Sequence, residues 1–454
     1  MTYLESLAFL FSLPDWERGT GTRPARKSLL LERPAALLNA LGNPQTRYRS
    51  VLIAGTKGKG STAAMLESIL CASGSKTGLY TSPHLHTYRE RIRVNGEMMS
   101  ENDFARGVGE IQPLVEKLRA ENSEWEISTF EAMTALALNF FAQAEIDVAI
   151  LEVGLGGRLD ATNVVNADLS LITPISFDHT AVLGNTLHKI ALEKAGIIKE
   201  GKIVLSAPQE PEAMQAIENV AREKNAVLGI GERDWIWLGG HDDFLVAATP
   251  RANLWDDYWV YRDLHVPLLG THQFVNAALA VAAARVIKEN WRFEIGDSDI
   301  THGLAKTDWA GRMEILQARD ESHTLIIADG AHNGDSAQKL FDALKFHFEY
   351  EKLFLILGVL RDKNLEEIAK PFVRTTEFVW TVTTRHPRAR DAQDIALQLN
   401  ALGMNARAAE NFDDALQHAR ERATPRDLIV VAGSFSIVAQ AREFFGLQVA
   451  TDQI

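Results

Sequence analysis

The segment Val51–Thr62, VLIAGTKGKGST, constrains this chain more than any other. An apolar run at Ser50–Ala54 predicts a strand, the glycines predict a tight turn, and a helix is expected from about Gly60 to Ala72. A strand that empties through glycines into a helix aims several backbone N–H groups and the helix dipole at one point, which suits a phosphate. Glycine matters there because a Cβ would keep the backbone away from a ligand. Lys59 is placed to reach outer phosphates. The spacing departs from G-x-x-x-x-G-K-[ST], since Gly60 separates Lys59 from Ser61. By itself the segment also suits a plain Gly-rich turn of an α/β protein.

Runs rich in Val, Ile and Leu alternate with helix-like stretches along most of the chain, the pattern of parallel sheets covered on both faces. Strands are predicted at Thr77–Thr81, Val148–Val153 and Leu169–Ile175. Arg89–Val94 and Glu97–Met99 flank Asn95-Gly96, a two-residue hairpin signal. Helices are predicted over Phe130–Gln143 and Leu187–Ile198, the latter stopped by Gly201. From about Val227 to Leu269 short alternating pieces carry Trp235, Trp237, Trp255 and Trp259, which suggests an antiparallel β appendage. A helix is expected over Asn276–Glu289. A second α/β series begins near Gly311, with strands at Thr324–Ala328, Leu353–Gly358, Phe378–Thr383 and Leu428–Ala432. With 454 residues the chain exceeds what one core usually supports. Two domains are therefore expected, 1–308 with the appendage at about 227–269, and 309–454.

A formal net charge of -13 argues against a general nucleic-acid or membrane-surface binder, which needs basic excess. The one cysteine, Cys71, excludes an intramolecular disulfide and a Cys-rich metal site. Leu7–Phe11 is too short for a signal-peptide core, and no run reaches the ~20 apolar residues of a spanning helix. The cytoplasm is the expected compartment.

Three further segments carry chemistry. In AILEVGLGGRLDATN (149–163), Glu152 interrupts an apolar run, where a carboxylate is expected only if it is paired, binds metal, or reaches solvent at the strand end. Such an acid can hold Mg2+ in a phosphoryl-transfer site. In SLITPISFDHTAVLGNTLHKIALEKAGIIK (170–199), Asp178 and His179 follow a strand end, where open α/β sheets bind ligands. A lone histidine is more often structural than catalytic, and Lys194 reads as an ordinary lysine on a solvated helix face. In IIADGAHN (326–333), Asp329 and His332 follow another buried strand, with a helix cap as the alternative role for Asp329.

Together these stretches closely resemble the folylpolyglutamate synthase/dihydrofolate synthase family of the Mur ligase superfamily. GTKGKGST, TSPHL, STFEAMTALAL, LEVGLGGRLDATN, FDHTAVLGNTLHKIALEKAGIIK, HQFVNAALA, GRMEI, DGAHN and GVLRDKN occur in the family's order, from roughly residue 4 to 445. The resemblance implies a P-loop ATPase domain with a parallel sheet, followed by a C-terminal Rossmann-like α/β domain. It implies that Lys59 contacts ATP phosphates, with Thr56, Gly58, Gly60, Ser61 and Thr62 completing the loop. Asn276, Arg312 and Asp329 match nucleotide contacts. Ser82 and Glu152 resemble Mg2+ ligands, and His179 resembles the ligand of a second Mg2+. Lys194 matches a lysine that the family carbamylates to support that second ion. Ser128, Thr129, Phe130 and Asp160 match positions near the pterin or folate pocket. Lys57 departs from the usual asparagine, and Gly334 from a common proline.

The implied reaction has two steps. ATP phosphorylates a carboxylate of tetrahydrofolate or dihydropteroate, and the amine of L-glutamate then attacks the acyl phosphate. His332 is a candidate to assist deprotonation of the amine. The implied protein is a cytoplasmic monomer. Three alternatives stay open: a member with only one of the two synthase activities, a Mur-type ligase for another amino acid, and a nucleotide-binding module without ligase activity.

Overall fold

The apolar run before the glycine loop forms a strand that sits near the middle of an eight-stranded sheet. In this computed structural model residues 1–15, 17–18, 31–239, 244–447 and 450–452 are described. The chain divides into two units. One comprises Met1–Pro83, Tyr88–Pro267 and Gln273–Thr307, and the other His84–Thr87, Leu268–His272 and Asp308–Ile454.

The large sheet of the first unit contains β1 (Arg49–Ala54), β2 (Thr77–Tyr80), β3 (Ile92–Val94), β4 (Glu97–Met98), β5 (Val148–Glu152), β6 (Leu169–Ile172), β7 (Ile203–Ser206) and β8 (Val227–Ile230). Their order is β4-β3-β2-β5-β1-β6-β7-β8. From β2 to β8 every pairing is parallel, while β3 and β4 add an antiparallel hairpin. The hairpin turns on Asn95 and Gly96, with φ of 51° and 80°, the left-handed pair that a two-residue turn requires. The stretch before it is a 3-10 turn, Tyr88–Arg91, and not the strand expected from Arg89.

The helix that follows the loop, Lys59–Ala72, is buried along most of its length. It packs so tightly on the helix Asp297–Ala305 that a Cβ on Gly303 would lie 2.5 Å from Ile69 Cα. One apolar cluster draws Leu7, Leu10, Leu37, Phe104, Leu136 and Phe141 from the helices Tyr3–Ser12, Glu32–Ala40, Glu101–Glu121 and Thr129–Gln143. Another unites Ile190, Ala191, Ala213 and Ile217 of Leu187–Ala195 and Pro211–Glu223. Each fully buried Leu, Ile or Phe side chain among them contributes roughly 1.5–3 kcal/mol. The helix His272–Trp291 is alanine-rich and buried all round from Asn276 to Ile287, as a helix without a polar face must be.

Two further expectations need correction. The helix before Gly201 ends at Ala195 with Gly196 as its cap, while Gly201, at φ 63°, turns the chain into β7. Val227–Ile230 pairs in parallel with β7 and so belongs to the main sheet. The antiparallel appendage is the later trio β9 (Ile236–Leu238), β10 (Phe244–Ala248) and β11 (Trp259–Leu264), in the order β11-β10-β9. Residues 240–243 of that stretch lie outside the described residues. Trp235, Trp255 and Trp259 form its core, with edge-on ring centroids 6.3 and 5.3 Å apart.

The second unit holds β12 (Glu314–Gln317), β13 (Leu325–Ala328), β14 (Leu353–Leu357), β15 (Thr376–Thr381), β16 (Ala406–Ala408) and β17 (Leu428–Ala432), in the order β12-β13-β17-β14-β15-β16. Only β12 runs antiparallel. Its helices start on side-chain caps, including Asn333, Asn364, Asp391, Asn411 and Ser434. The architecture is α/β with two mainly parallel sheets, as the alternating pattern implied. No helix of the described residues is long and apolar enough to cross a membrane.

Candidate active site

Strand register brings four chemistry-bearing segments to one sheet edge. Ile53 of β1 lies between Glu152 of β5 and Leu171 of β6, and Tyr80 of β2 lies beside Leu151. The segments that leave these strands, 55–60, 81–82, 153–157 and 173–179, therefore start side by side at their carboxyl ends. Open α/β sheets bind ligands at this edge.

The loop is bolted down before its helix begins. Thr56 N and Lys57 N both donate to Pro174 O, at 3.0 and 3.2 Å. Thr56 Oγ1 donates to Ser176 O at 3.0 Å and accepts from Ser176 N at 3.1 Å. Those two amides are thus engaged within the protein, which leaves the amides of the first helical turn, Lys59 to Ser61, without intrahelical partners and so available to an anion. Gly58 caps the helix at φ 86°, and a Cβ there would come 2.2 Å from Asn276 Oδ1. Asn276 accordingly lies against the loop, held by its Nδ2 donation to Gln273 Oε1 at 2.9 Å. Thr62 Oγ1 is buried with no hydrogen-bond partner among the described residues, a costly state that a ligand can relieve.

Glu152 is only 5% exposed, so it does not reach solvent at the strand end. Its Oε2 accepts from Ser82 N at 3.1 Å, and its Oε1 stands 3.8 Å from Lys59 Nζ. Among the described residues no three His, Cys, Asp or Glu side chains gather in metal-binding geometry. Mg2+ commonly takes one or two protein carboxylates and fills the rest of its shell with phosphate oxygens and water. The Glu152 carboxylate beside a phosphate-type loop fits such a partial donor set.

Lys194 is likewise not on a solvated face. It is 5% exposed and donates through Nζ to Gly55 O at 2.6 Å. Burial, and then the Lys59 charge, push it down to about 7, with Lys57 acting in the same sense and Asp178 and Asp160 opposing. Near neutral pH a large share of Lys194 is therefore uncharged amine. The helix that carries it docks on the GLGG turn: a Cβ on Gly157 would lie 2.7 Å from Glu193 O and 2.9 Å from Lys194 O. Arg158 clamps the same helix, donating from its backbone to Glu193 O at 2.7 Å and from its side chain to Glu193 Oε1 at 3.2 Å.

Asp178 joins the loop to His179. Its Oδ2 pairs with Lys57 Nζ at 3.1 Å, and its Oδ1 accepts from His179 N at 2.9 Å. His179 adopts φ 49° at the start of the short helix Thr180–Leu183.

The four folate-pocket candidates divide. Ser128 Oγ caps the helix Thr129–Gln143 in a capping box with Glu131, and Glu131 pairs with buried Arg33 at 3.0 Å. Thr129 Oγ1 donates to Leu10 O at 2.9 Å. Phe130 remains near the edge, because a Cβ on Gly154 would lie 2.6 Å from its ring. Asp160 is buried, accepts from Leu155 N at 2.8 Å and Thr162 N at 3.0 Å, and is raised chiefly by burial.

In the second unit, Asp329 ties together the strand end and the segment Arg312–Met313. Its Oδ2 accepts from Met313 N at 2.9 Å and its Oδ1 from Ala331 N at 2.7 Å. Asn333, not Asp329, caps the next helix. The Arg312 guanidinium lies 4.6 Å from the Phe435 ring centroid. His332 Nδ1 lies 2.7 Å from Gly330 O. A carbonyl can only accept, so Nδ1 carries the proton of this contact.

The first unit thus gathers Lys59, Ser82, Glu152, Asn276 and Lys194, with His179 linked through Asp178. Arg158 and Glu193, which seat Lys194, carried no chemical signature in sequence. The signal available was the pairing of Gly156-Gly157 with Gly196, small residues where two backbones approach.

Known proteins match this chain along most of its length. Residues 53–284 match the family model of the Mur ligase middle domain, and 311–435 that of the Mur ligase glutamate ligase domain. A dihydrofolate synthase/folylpolyglutamate synthase of Bacillus subtilis is 34% identical over 417 residues, covering 91% of this chain and 94% of that protein. The crystal structure of Mycobacterium tuberculosis folylpolyglutamate synthase complexed with ADP and AMPPCP superposes with a TM-score of 0.85 at 31% identity, covering 98% of this chain and 99% of that one. Escherichia coli FolC in complex with DHPP and ADP gives a TM-score of 0.85 at 31% identity, covering 98% of both chains.

Proposed function

Because this chain belongs to the folylpolyglutamate synthase/dihydrofolate synthase family of Mur ligases, we infer that it is an ATP-dependent ligase that joins L-glutamate to a folate or dihydropteroate carboxylate. The observation that carries the reading is Lys59 Nζ standing 3.8 Å from the buried Glu152 carboxylate at the mouth of the glycine loop. A cation and an anion held together beside free helix-end amides are what a metal-bound polyphosphate needs.

In the first step the acceptor carboxylate oxygen attacks the γ-phosphorus, the bond to ADP breaks, and an acyl phosphate forms. Lys59 and the amides of the first helical turn hold phosphate oxygens, with Thr56 shaping the loop and Gly58 letting Asn276 approach it. Ser61 and Thr62 add hydroxyls, and Arg312 and Asp329 are nucleotide contacts of the second unit. Bound Mg2+, one ion at Ser82 and Glu152 and a second at His179 and Lys194, would neutralise phosphate charge. The uncharged amine of Lys194 is the form that adds CO2, which supports its carbamylation. In the second step the glutamate amine attacks the acyl carbon, phosphate leaves, and a proton passes to a base. His332 Nε2 supplies that base, and a His332→Ala variant with full turnover at saturating glutamate would remove this role.

Phe130 and Asp160 border the pterin end of the acceptor, and Ser128 and Thr129 support that border through the helix they start. The reading carries with it a monomer acting in the cytoplasm on small molecules. Incubation with ATP, glutamate and either dihydropteroate or tetrahydrofolate tests it. Amide product from at least one acceptor is expected, and product from both identifies a bifunctional enzyme. No amide from either acceptor overturns the reading, and unchanged turnover in Lys59→Ala overturns the phosphate assignment.

A further inference from the structure

Lys57 adds a second lysine side chain to the glycine loop beside Lys59, so its ammonium needs an explanation of its own. Its side chain is 17% exposed and that of Asp178 is 15% exposed, with the charges 3.1 Å apart. A carboxylate in contact cancels most of the field the lysine would send toward a phosphate. Meanwhile the backbone of Lys57 is already fixed through its amide to Pro174 O. The side chain thus adds a second tie, four residues further on, between the loop and the segment that leaves β6.

What Asp178 does with its other oxygen decides the consequence. That oxygen accepts from His179 N at 2.9 Å. His179 holds φ 49°, a left-handed conformation that is strained for a non-glycine residue. From that position its carbonyl accepts the first bonds of the next helix, from Val182 N at 2.9 Å and Leu183 N at 3.0 Å. The Asp178 bond to the His179 amide therefore helps to hold this strained turn. Removing the lysine leaves a largely buried carboxylate without this counter-ion, which favours its rotation toward water.

We propose that Lys57 is a positioning residue, which holds Asp178, and through Asp178 the His179 turn, against the phosphate loop. This role rests on the ligase reading for its effect on turnover, but the mechanical link does not.

The test uses the full-length chain with Lys57→Met, Lys57→Arg and Asp178→Asn. Hydrogen exchange reads the link directly. In Lys57→Met and in Asp178→Asn the amides of residues 179–184 should exchange at least about 10-fold faster, a local opening, while those of β1, β5 and β6 keep their protection as a check on folding. Lys57→Met should also lower kcat by about 10-fold or more with KM for ATP within about 2-fold, since a small displacement of a reacting group is expensive. Lys57→Arg should restore most of both. Unchanged exchange at 179–184 in Lys57→Met overturns the proposal. So does a raised KM for ATP with intact kcat, the mark of a direct phosphate contact. If the wild-type chain makes no amide, the ligase reading has failed, and the exchange comparison still decides the link.

Discussion

Replacing Gly157 by alanine tests whether the seating of Lys194 depends on backbone contact. The added Cβ would meet Glu193 O at 2.7 Å, Lys194 O at 2.9 Å and Lys194 Cα at 3.0 Å. All three are backbone atoms, so no side chain can swing aside. Ordinary contact begins at 3.4 Å, which leaves the helix end short by about 0.7 Å. Overpacking of this kind costs roughly 1–3 kcal/mol. The larger effect falls on chemistry, because Lys194 Nζ is held at 2.6 Å from Gly55 O by the helix that must move. A shift approaching 1 Å at a reacting group lowers turnover by up to about 100-fold. The expected result is a loss of about 1–3 kcal/mol in urea unfolding and a fall in kcat of about 10- to 100-fold. Gly109 supplies the control. It sits within the helix Glu101–Glu121, a Cβ there meets nothing within 4 Å, and Gly109→Ala should stabilise by roughly 0.5–1 kcal/mol with turnover unchanged. A Gly157→Ala enzyme with wild-type kcat would refute the reasoning, because the docking of the helix would then be too loose to position Lys194.

Two other perturbations separate structural from functional roles. His272 is held down to about 4, first by burial and then by Lys339 and Arg312, with Asp335 opposing. A neutral histidine of this kind contributes its full stability above its ordinary value of 6.5. That contribution erodes as pH falls toward 4, because the unfolded chain takes up the proton first. Its loss is at most about 3 kcal/mol. Unfolding free energies at pH 7.5 and 4.5 should therefore differ less in His272→Gln than in the wild type, and equal differences would deny the shift. Ser128→Ala removes a helix cap and should cost about 1 kcal/mol without raising KM for the acceptor. A raised KM with no loss of stability would return Ser128 to the pterin pocket.

Local chemistry was readable in sequence wherever a motif satisfies itself. The Asn95-Gly96 hairpin, the glycine loop and the apolar strands all declare themselves within a few residues. Ser128 and Glu131 also form a readable capping box, S-x-x-E, and the cap accounts for the Ser128 hydroxyl. Features set by tertiary packing were harder to read. Lys194 looks solvated in the spacing of Leu187–Ala195, because nothing in that helix shows that Gly157 will press against it. Val227–Ile230 resembles the short pieces that follow it, yet it pairs in parallel with β7 across the helix Pro211–Glu223 and so closes the main sheet. Gly201 carries the usual helix-stop residue, whereas the helix is capped at Gly196, which must be glycine because Arg158 lies against it: a Cβ on Gly196 would fall 2.4 Å from Arg158 Cβ.

The most direct measurement follows oxygen. An acceptor whose carboxylate carries 18O is incubated with ATP, Mg2+ and glutamate, and the inorganic phosphate and amide are analysed together. If an acyl phosphate forms, each amide bond releases one phosphate that carries a single 18O from the carboxylate, and the Lys59→Ala variant releases almost none. Amide formed with unlabelled phosphate, or ATP hydrolysed without amide, would contradict the assignment of this chain's loop, Glu152 and Lys194 to ligase chemistry.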